Sequence, residues 1–176
     1  MTEDPPEYRG RRVRVRREHH RLPDGREVAL DAVRCPAGAV VLPLLPDGRV
    51  VLLRQVRPIL GAELWQLPAG TLAAGEAPEA CAHRELAEEA GYQADRLAPL
   101  GEVLVDPGLT DDRLFLFVAR GLTPVPRRLE PDEQIEVVEV PLAEAYRMID
   151  AGEIVDAGTL VALLRLRCQE RTGSPG

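Results

Sequence analysis

Aromatic residues make up only 3% of this 176-residue chain, so Trp65, Tyr92, Phe115 and Phe117 become informative where they occur. Cysteine is also sparse. Cys35, Cys81 and Cys168 are odd in number and widely spaced, with no Cys-x-x-Cys pair and no histidines placed for zinc. They read as reduced thiols in a cytoplasmic protein. No apolar run approaches the ~20 residues needed to span a bilayer. The start, MTEDPPEYRGRRVRVRREHH, is charged and lacks the apolar region of a signal peptide. Net positive charge is missing as well: 22 basic against 29 acidic residues leave a formal charge of -7. That balance speaks against a broad basic nucleic-acid groove, yet leaves a polyphosphate within reach of a bound metal. What remains is an ordinary globular composition, 45% hydrophobic, in a chain long enough for one well-buried domain and a small appended element.

Chemistry concentrates in Gly70 to Tyr92, GTLAAGEAPEACAHRELAEEAGY, where Glu76, Glu79, Glu85, Glu88 and Glu89 surround a single arginine, Arg84. Pro78 suits a first helical turn, Ala80, Ala82, Ala87 and Ala90 favour the interior, and Gly91 ends it, so a helix is predicted over 77–90. Side chains three and four apart share a helix face, so Glu85, Glu88 and Glu89 project together. Two carboxylates about 4 Å apart repel by roughly 1 kcal/mol in water and roughly 4 kcal/mol near a low-dielectric surface. Such a trio is either a solvated acidic face or a site for a hard, oxygen-seeking cation, magnesium or manganese.

Gly70, five residues, Glu76, seven residues and then Arg84-Glu85-Leu86-Ala87-Glu88-Glu89-Ala90-Gly91-Tyr92 closely resembles the signature of the Nudix hydrolases, which cleave nucleoside diphosphates linked to a further group. Tyr92 stands where the family usually has an aliphatic residue and is expected to be a packing substitution. The resemblance implies that Glu85, Glu88 and Glu89 ligate metal and that Arg84 orients the glutamates. It also implies that the carbonyl of Ala69 completes a metal site, and that Glu76 holds loop and helix together or joins the outer ligand shell. It covers nearly the entire chain, and so implies an α/β fold, the Nudix α/β/α sandwich with a mixed sheet.

Around the signature, alternating residues predict strands at 11–17 and 26–34, joined by the turn Leu22-Pro23-Asp24-Gly25. A hairpin of that size is marginal alone and should pack on something. Its Arg/His run through Arg21 reads as a solvated strand face, because no aromatics interleave with it. Further strands are expected over 37–45, 50–55, 97–105, 113–118 and 135–140, and helices over 142–151 and 158–169. The chain thus divides into an N-terminal arm and hairpin over 1–36, loose in its first ten residues, a hydrolase domain over 37–171 and a fraying tail over 172–176. Trp65 reads as core or as a base-stacking surface. Arg54 and Arg57, just beyond a strand, read as solvated cations or as phosphate contacts.

Arg54 to Pro58, Glu63 to Gly70 and Asp106 to Thr110 resemble the ADP-ribose pyrophosphatase branch of the family, and the hairpin at 11–34 resembles the element this branch uses for dimerisation. The resemblance implies magnesium-dependent hydrolysis of ADP-ribose to AMP and ribose 5-phosphate by a homodimer whose pocket borrows residues from the partner. In it Arg54, Arg57 and Glu63 hold the ligand, and Gly108 and Leu109 line the pocket. Glu133, on the loop before the last strand, acts as base or binds metal, with Glu130 and Glu136 as fallback candidates. Another nucleoside diphosphate sugar or dinucleotide as substrate, and a non-catalytic ADP-ribose sensor, are the alternative readings.

Overall fold

The alternating N-terminal segments form an antiparallel sheet of β1 (Tyr8–Arg9), β2 (Arg14–Arg21) and β3 (Glu27–Arg34). The structure, a computed structural model, describes residues 6–131 and 133–172. Tyr8 and Arg9, expected in a loose arm, pair instead with Val15 and Arg14. Residues 1–5 of that arm, and 173–176 of the tail expected over 172–176, lie outside the described residues. The hairpin packs as its size demands. Val33 N–H donates to the Leu109 carbonyl at 2.9 Å, and Arg34 joins Glu18 to Asp111, so the hairpin is fastened to the loop at 106–112.

The chain continues through β4 (Gly38–Pro43), β5 (Arg49–Arg57), β6 (Ala62–Gln66) and β7 (Ala69–Thr71) into α1 (Pro78–Glu85) and a π-helical turn, Leu86–Ala90. After these come β8 (Tyr92–Leu104), β9 (Arg113–Pro124), β10 (Ile135–Pro141), α2 (Leu142–Asp150) and α3 (Ala157–Thr172). One sheet has the order β7-β4-β9-β8 and is mixed, because β4 runs parallel to β9 while the other pairs are antiparallel. The other, β10-β5-β6, is antiparallel throughout.

β4 is buried along its whole length, which is why its residues are apolar without alternation. Successive side chains still point to opposite faces. Val40 and Leu42 join Leu52, Leu116, Met148 and Leu163 in one core, under α2 and α3. Ala39 and Val41 join Val51, Phe117, Cys81 and Leu86 in the other, under α1 and the π turn. Each fully buried Leu or Val contributes about 1.5–3 kcal/mol. Helices on both faces make the α/β/α sandwich that was expected.

The differences are local. The expected helix over 77–90 has the right extent but widens from α to π at Leu86, a form that recurs at functional sites. β6 and β7 are short strands that Leu67-Pro68 separates, too brief to show a period. β8 begins at Tyr92 rather than 97, and a bulge between Pro99 and Gly101 (φ 99°) breaks its alternation. Arg165 of α3 donates to the Leu100 and Glu102 carbonyls at 2.8 and 2.9 Å across that bulge. Among the described residues no helix is long and apolar enough to cross a membrane.

Candidate active site

Gly70 lies where β7 meets the acidic helix. A Cβ placed there would meet Glu85 Oε1 at 1.7 Å and Cδ at 2.0 Å, so only glycine lets the carboxylate lie against the strand. Arg84 then organises the glutamates around itself. It donates to both Glu76 oxygens at 3.0 Å, to Glu85 Oε1 at 2.6 Å, to Glu88 Oε2 at 3.2 Å and to the Thr71 carbonyl at 3.2 Å. Glu76 also accepts from Ala73 N–H at 2.8 Å, tying loop to helix. Arg84 and that N–H hold its carboxyl down at about 2.

Burial has the opposite effect one turn further on. Glu89 is 3% exposed and its Oε2 accepts from Ala69 N–H at 2.8 Å. Desolvation pushes its carboxyl up to about 8 against that hydrogen bond. Glu85 is raised too, by burial first, with Arg84 opposing. Glu85, Glu88, Glu89 and Ala69 share one open cavity of about 800 Å³ with Glu133 from the loop before β10. The Glu133 charge raises Glu85 and Glu89 further. Its Oε2 accepts from Glu130 N–H at 2.9 Å.

Among the described residues no three His, Cys, Asp or Glu side chains converge on one point closely enough to hold a metal as they stand. Arg84 draws Glu85 and Glu88 to itself, and the Ala69 amide draws Glu89. The donor chemistry nevertheless fits a hard divalent cation, because carboxylate oxygens in excess of local positive charge line one wall and burial makes their ionisation costly without a counter-ion.

Arg57 is on the cavity wall and Arg54 is not. They stand three apart on β5, and an odd separation sends side chains to opposite faces. Arg54 instead bonds Glu63 and Glu136 and lies 5.5 Å over the ring of Trp65, which itself packs on the core. Gly108 and Leu109 also lie outside this cavity, in the loop fastened to β3. Glu130 shares the wall with Glu133, whereas Glu136 faces Arg54.

Other wall residues carried no sequence signal as site residues. Arg128 is brought there because its N–H donates to the Glu88 carbonyl at 3.1 Å, beside a Val125 N–H bond to Gly91 at 2.8 Å. Gln66 and Asp156 come from segments far apart in sequence. Asp156 was legible only as a helix cap, an acid three residues before Thr159. Tyr92 packs as expected but also donates its hydroxyl to Glu139 at 2.6 Å.

A mixed-sheet α/β/α sandwich with an arginine-held glutamate cluster in an open cleft defines a metal-assisted hydrolase class. Residues 35–161 match the NUDIX domain. The chain is 33% identical over 165 residues to an ADP-ribose pyrophosphatase of Bacillus subtilis (strain 168), covering 93% of this chain and 89% of the relative. It is 32% identical, over the same shares, to a methanol dehydrogenase activator of Bacillus methanolicus. A crystal structure of an ADP compounds hydrolase shares the fold with a TM-score of 0.82 at 22% identity, covering 95% of this chain and 91% of that one. The chain belongs to the Nudix family and is a Nudix pyrophosphohydrolase. Hydrolases of this family generally need a divalent metal.

Proposed function

We propose that this protein hydrolyses the pyrophosphate bond of ADP-ribose, releasing AMP and ribose 5-phosphate, with magnesium, or manganese in its place, as cofactor. The observation that carries the reading is the single cavity in which Glu85, Glu88, Glu89 and Glu133 face Arg57 and Arg128. The similarity to a relative named ADP-ribose pyrophosphatase over 93% of the chain supports the choice of substrate. Glu85, Glu88, Glu89 and the Ala69 carbonyl are the proposed metal ligands. Bound there, the cation would neutralise phosphate charge and lower the pKa of a bound water. Arg84 orients the glutamates through the bonds already described. Glu133 takes the proton of the attacking water, or joins the metal ligands. Arg57 binds phosphate oxygens by its guanidinium.

The same reading makes a cytoplasmic homodimer, with residues 1–36 as the dimerisation element on a hydrolase domain at 37–171, and neither nucleic acid nor membrane as partner. Arg54, Glu63, Gly108 and Leu109 then serve the cavity of the other subunit. Leu30, Leu104, Val105 and Leu109, each 45–49% exposed, supply apolar area for such an interface. Sedimentation of the full chain checks it; a monomer at assay concentration removes the borrowed residues from the proposal.

Incubation of ADP-ribose with magnesium or with chelator, products separated by chromatography, tests the reaction. Metal-dependent AMP and ribose 5-phosphate are expected. Faster turnover of a hexose nucleotide or a dinucleotide at equal concentration would replace the substrate. A second reading comes from the Bacillus methanolicus relative, named for activating a dehydrogenase. ADP-ribose binding with no turnover of any diphosphate favours such a regulatory or sensing role.

A further inference from the structure

Gln66 and Thr159 are buried polar residues, 6% and 0% exposed, that the proposed reaction does not use. Together with Asp156 they form a chain of hydrogen bonds ending at the cavity. Leu67 N–H donates to Thr159 Oγ1 at 2.9 Å, and the Thr159 hydroxyl donates to Asp156 Oδ2 at 2.7 Å. The Thr159 amide donates to the same Oδ2 at 2.9 Å, where Asp156 caps the start of α3. Asp156 Oδ1 accepts from Gln66 Nε2 at 2.8 Å, and Gln66 Oε1 accepts from Arg57 Nε at 2.6 Å.

The polarity of this chain is set at Asp156. Both its oxygens only accept, so Oδ1 requires the NH2 end of Gln66, and the amide must then turn its oxygen to Arg57. Oδ2 is saturated by two donors from Thr159, which in turn is locked to the link between β6 and β7 through Leu67. Arg57 is therefore gripped by its Nε, and among the described residues no hydrogen bond holds the two terminal nitrogens of its fork, which remain for a ligand in the cavity it lines. That edge matches the oxygens of a phosphate. Arg57 also lines the same cavity as Glu85, Glu88 and Glu89, the proposed metal ligands.

We infer that Gln66 and Asp156 are positioning residues that aim Arg57 at the diphosphate of the substrate. The inference rests on the reaction proposed above, with Arg57 as the phosphate contact. The oriented fork is a binding device shared by ground and transition states, so its loss appears in KM rather than kcat.

Gln66→Met keeps the volume of the side chain and removes both hydrogen bonds. It is expected to raise KM for ADP-ribose roughly tenfold, as for loss of a bond to a charged group, and to leave kcat within about threefold. Asp156→Asn must place an NH2 group against either Gln66 or Thr159, and is expected to raise KM in the same direction; thermal melting shows that each variant is folded. In an Arg57→Ala background either substitution should add less than about twofold, because the group it positions is gone. Titration calorimetry with ADP and magnesium on the same variants should show the same pattern in Kd. Effects that multiply with Arg57→Ala, or that fall on kcat alone, overturn the inference, since Gln66 then acts on substrate directly or only on the fold. Wild type that binds ADP without turning over ADP-ribose removes the proposed reaction while the calorimetric cycle still decides the inference. Wild type that binds neither overturns both.

Discussion

Glu18 in the hairpin and Glu89 in the cleft are the same residue in opposite settings. Glu18 meets two guanidinium groups, Arg34 and Arg16, and they hold its carboxyl down at about 2. Glu89 meets one backbone N–H, and burial pushes it up to about 8. No lysine occurs in the chain, so all 22 basic side chains are arginines and the contrast is one of placement. On the surface, Arg49 is shared by Asp47 and Glu139, and Arg147 by Glu144 and Glu153. In the cleft one arginine, Arg84, serves Glu76, Glu85 and Glu88. Each of those surface arginines faces two carboxylates, whereas Arg84 faces three.

The largest break in this contrast comes from removing a cleft charge. Glu85→Gln or Glu89→Gln should lower metal-dependent turnover of ADP-ribose by at least roughly a hundredfold. Melting in chelator should stay level or rise, because a costly buried ionisation disappears. Turnover close to that of wild type would place the chemistry elsewhere. Next comes Gly70→Ala, whose methyl would collide with the Glu85 carboxylate. Displacement of that group by an ångström or so is expected to cost on the order of a hundredfold in kcat, with secondary structure by circular dichroism unchanged.

The two carboxylates should also divide the pH dependence of stability. A raised carboxyl binds its proton more tightly in the folded state. The stability Glu89 adds in chelator is therefore complete below its ordinary value of 4.5 and is lost as pH rises through about 8. The lowered carboxyl of Glu18 behaves inversely: its contribution is present above 4.5 and is lost as pH falls through about 2. Thermal melts across pH should show Glu89→Gln flattening the alkaline limb and Glu18→Gln the acid one. An unchanged alkaline limb in Glu89→Gln would remove burial as the cause. The smallest effect is expected from Tyr92→Phe, which removes a hydroxyl bond to Glu139 outside the cavity. It should cost about 0.5–1.5 kcal/mol in denaturant unfolding and leave turnover within about twofold.

The helix of the cleft was readable because its cues are local: proline near the start, alanines within, glycine after the end, and glutamates three and four apart. The double burial of β4 was visible in its unbroken apolar run. β6 and β7 were not, because five and three residues are too few to express a period. The separation of Arg54 from Arg57 follows from their odd spacing, but only once both are known to lie on one strand. Gln66 and Asp156 had no such route, since 90 residues separate them and their meeting depends on how α3 docks onto the sheet of β4, β8 and β9.

The sequence by itself determined that Glu85, Glu88 and Glu89 share one short helical stretch with Arg84, because the cues that form that helix are local. Tertiary structure decided how those groups behave. Whether a carboxyl sits at about 2, as Glu76 does, or at about 8, as Glu89 does, depends on the water and charge that distant segments remove or supply. The same holds for Arg57, whose aim is set by a cap on a helix near the end of the chain. Hydrogen-bond direction and desolvation are properties of the packed neighbourhood, and that neighbourhood exists only after the sheets and helices have closed around it.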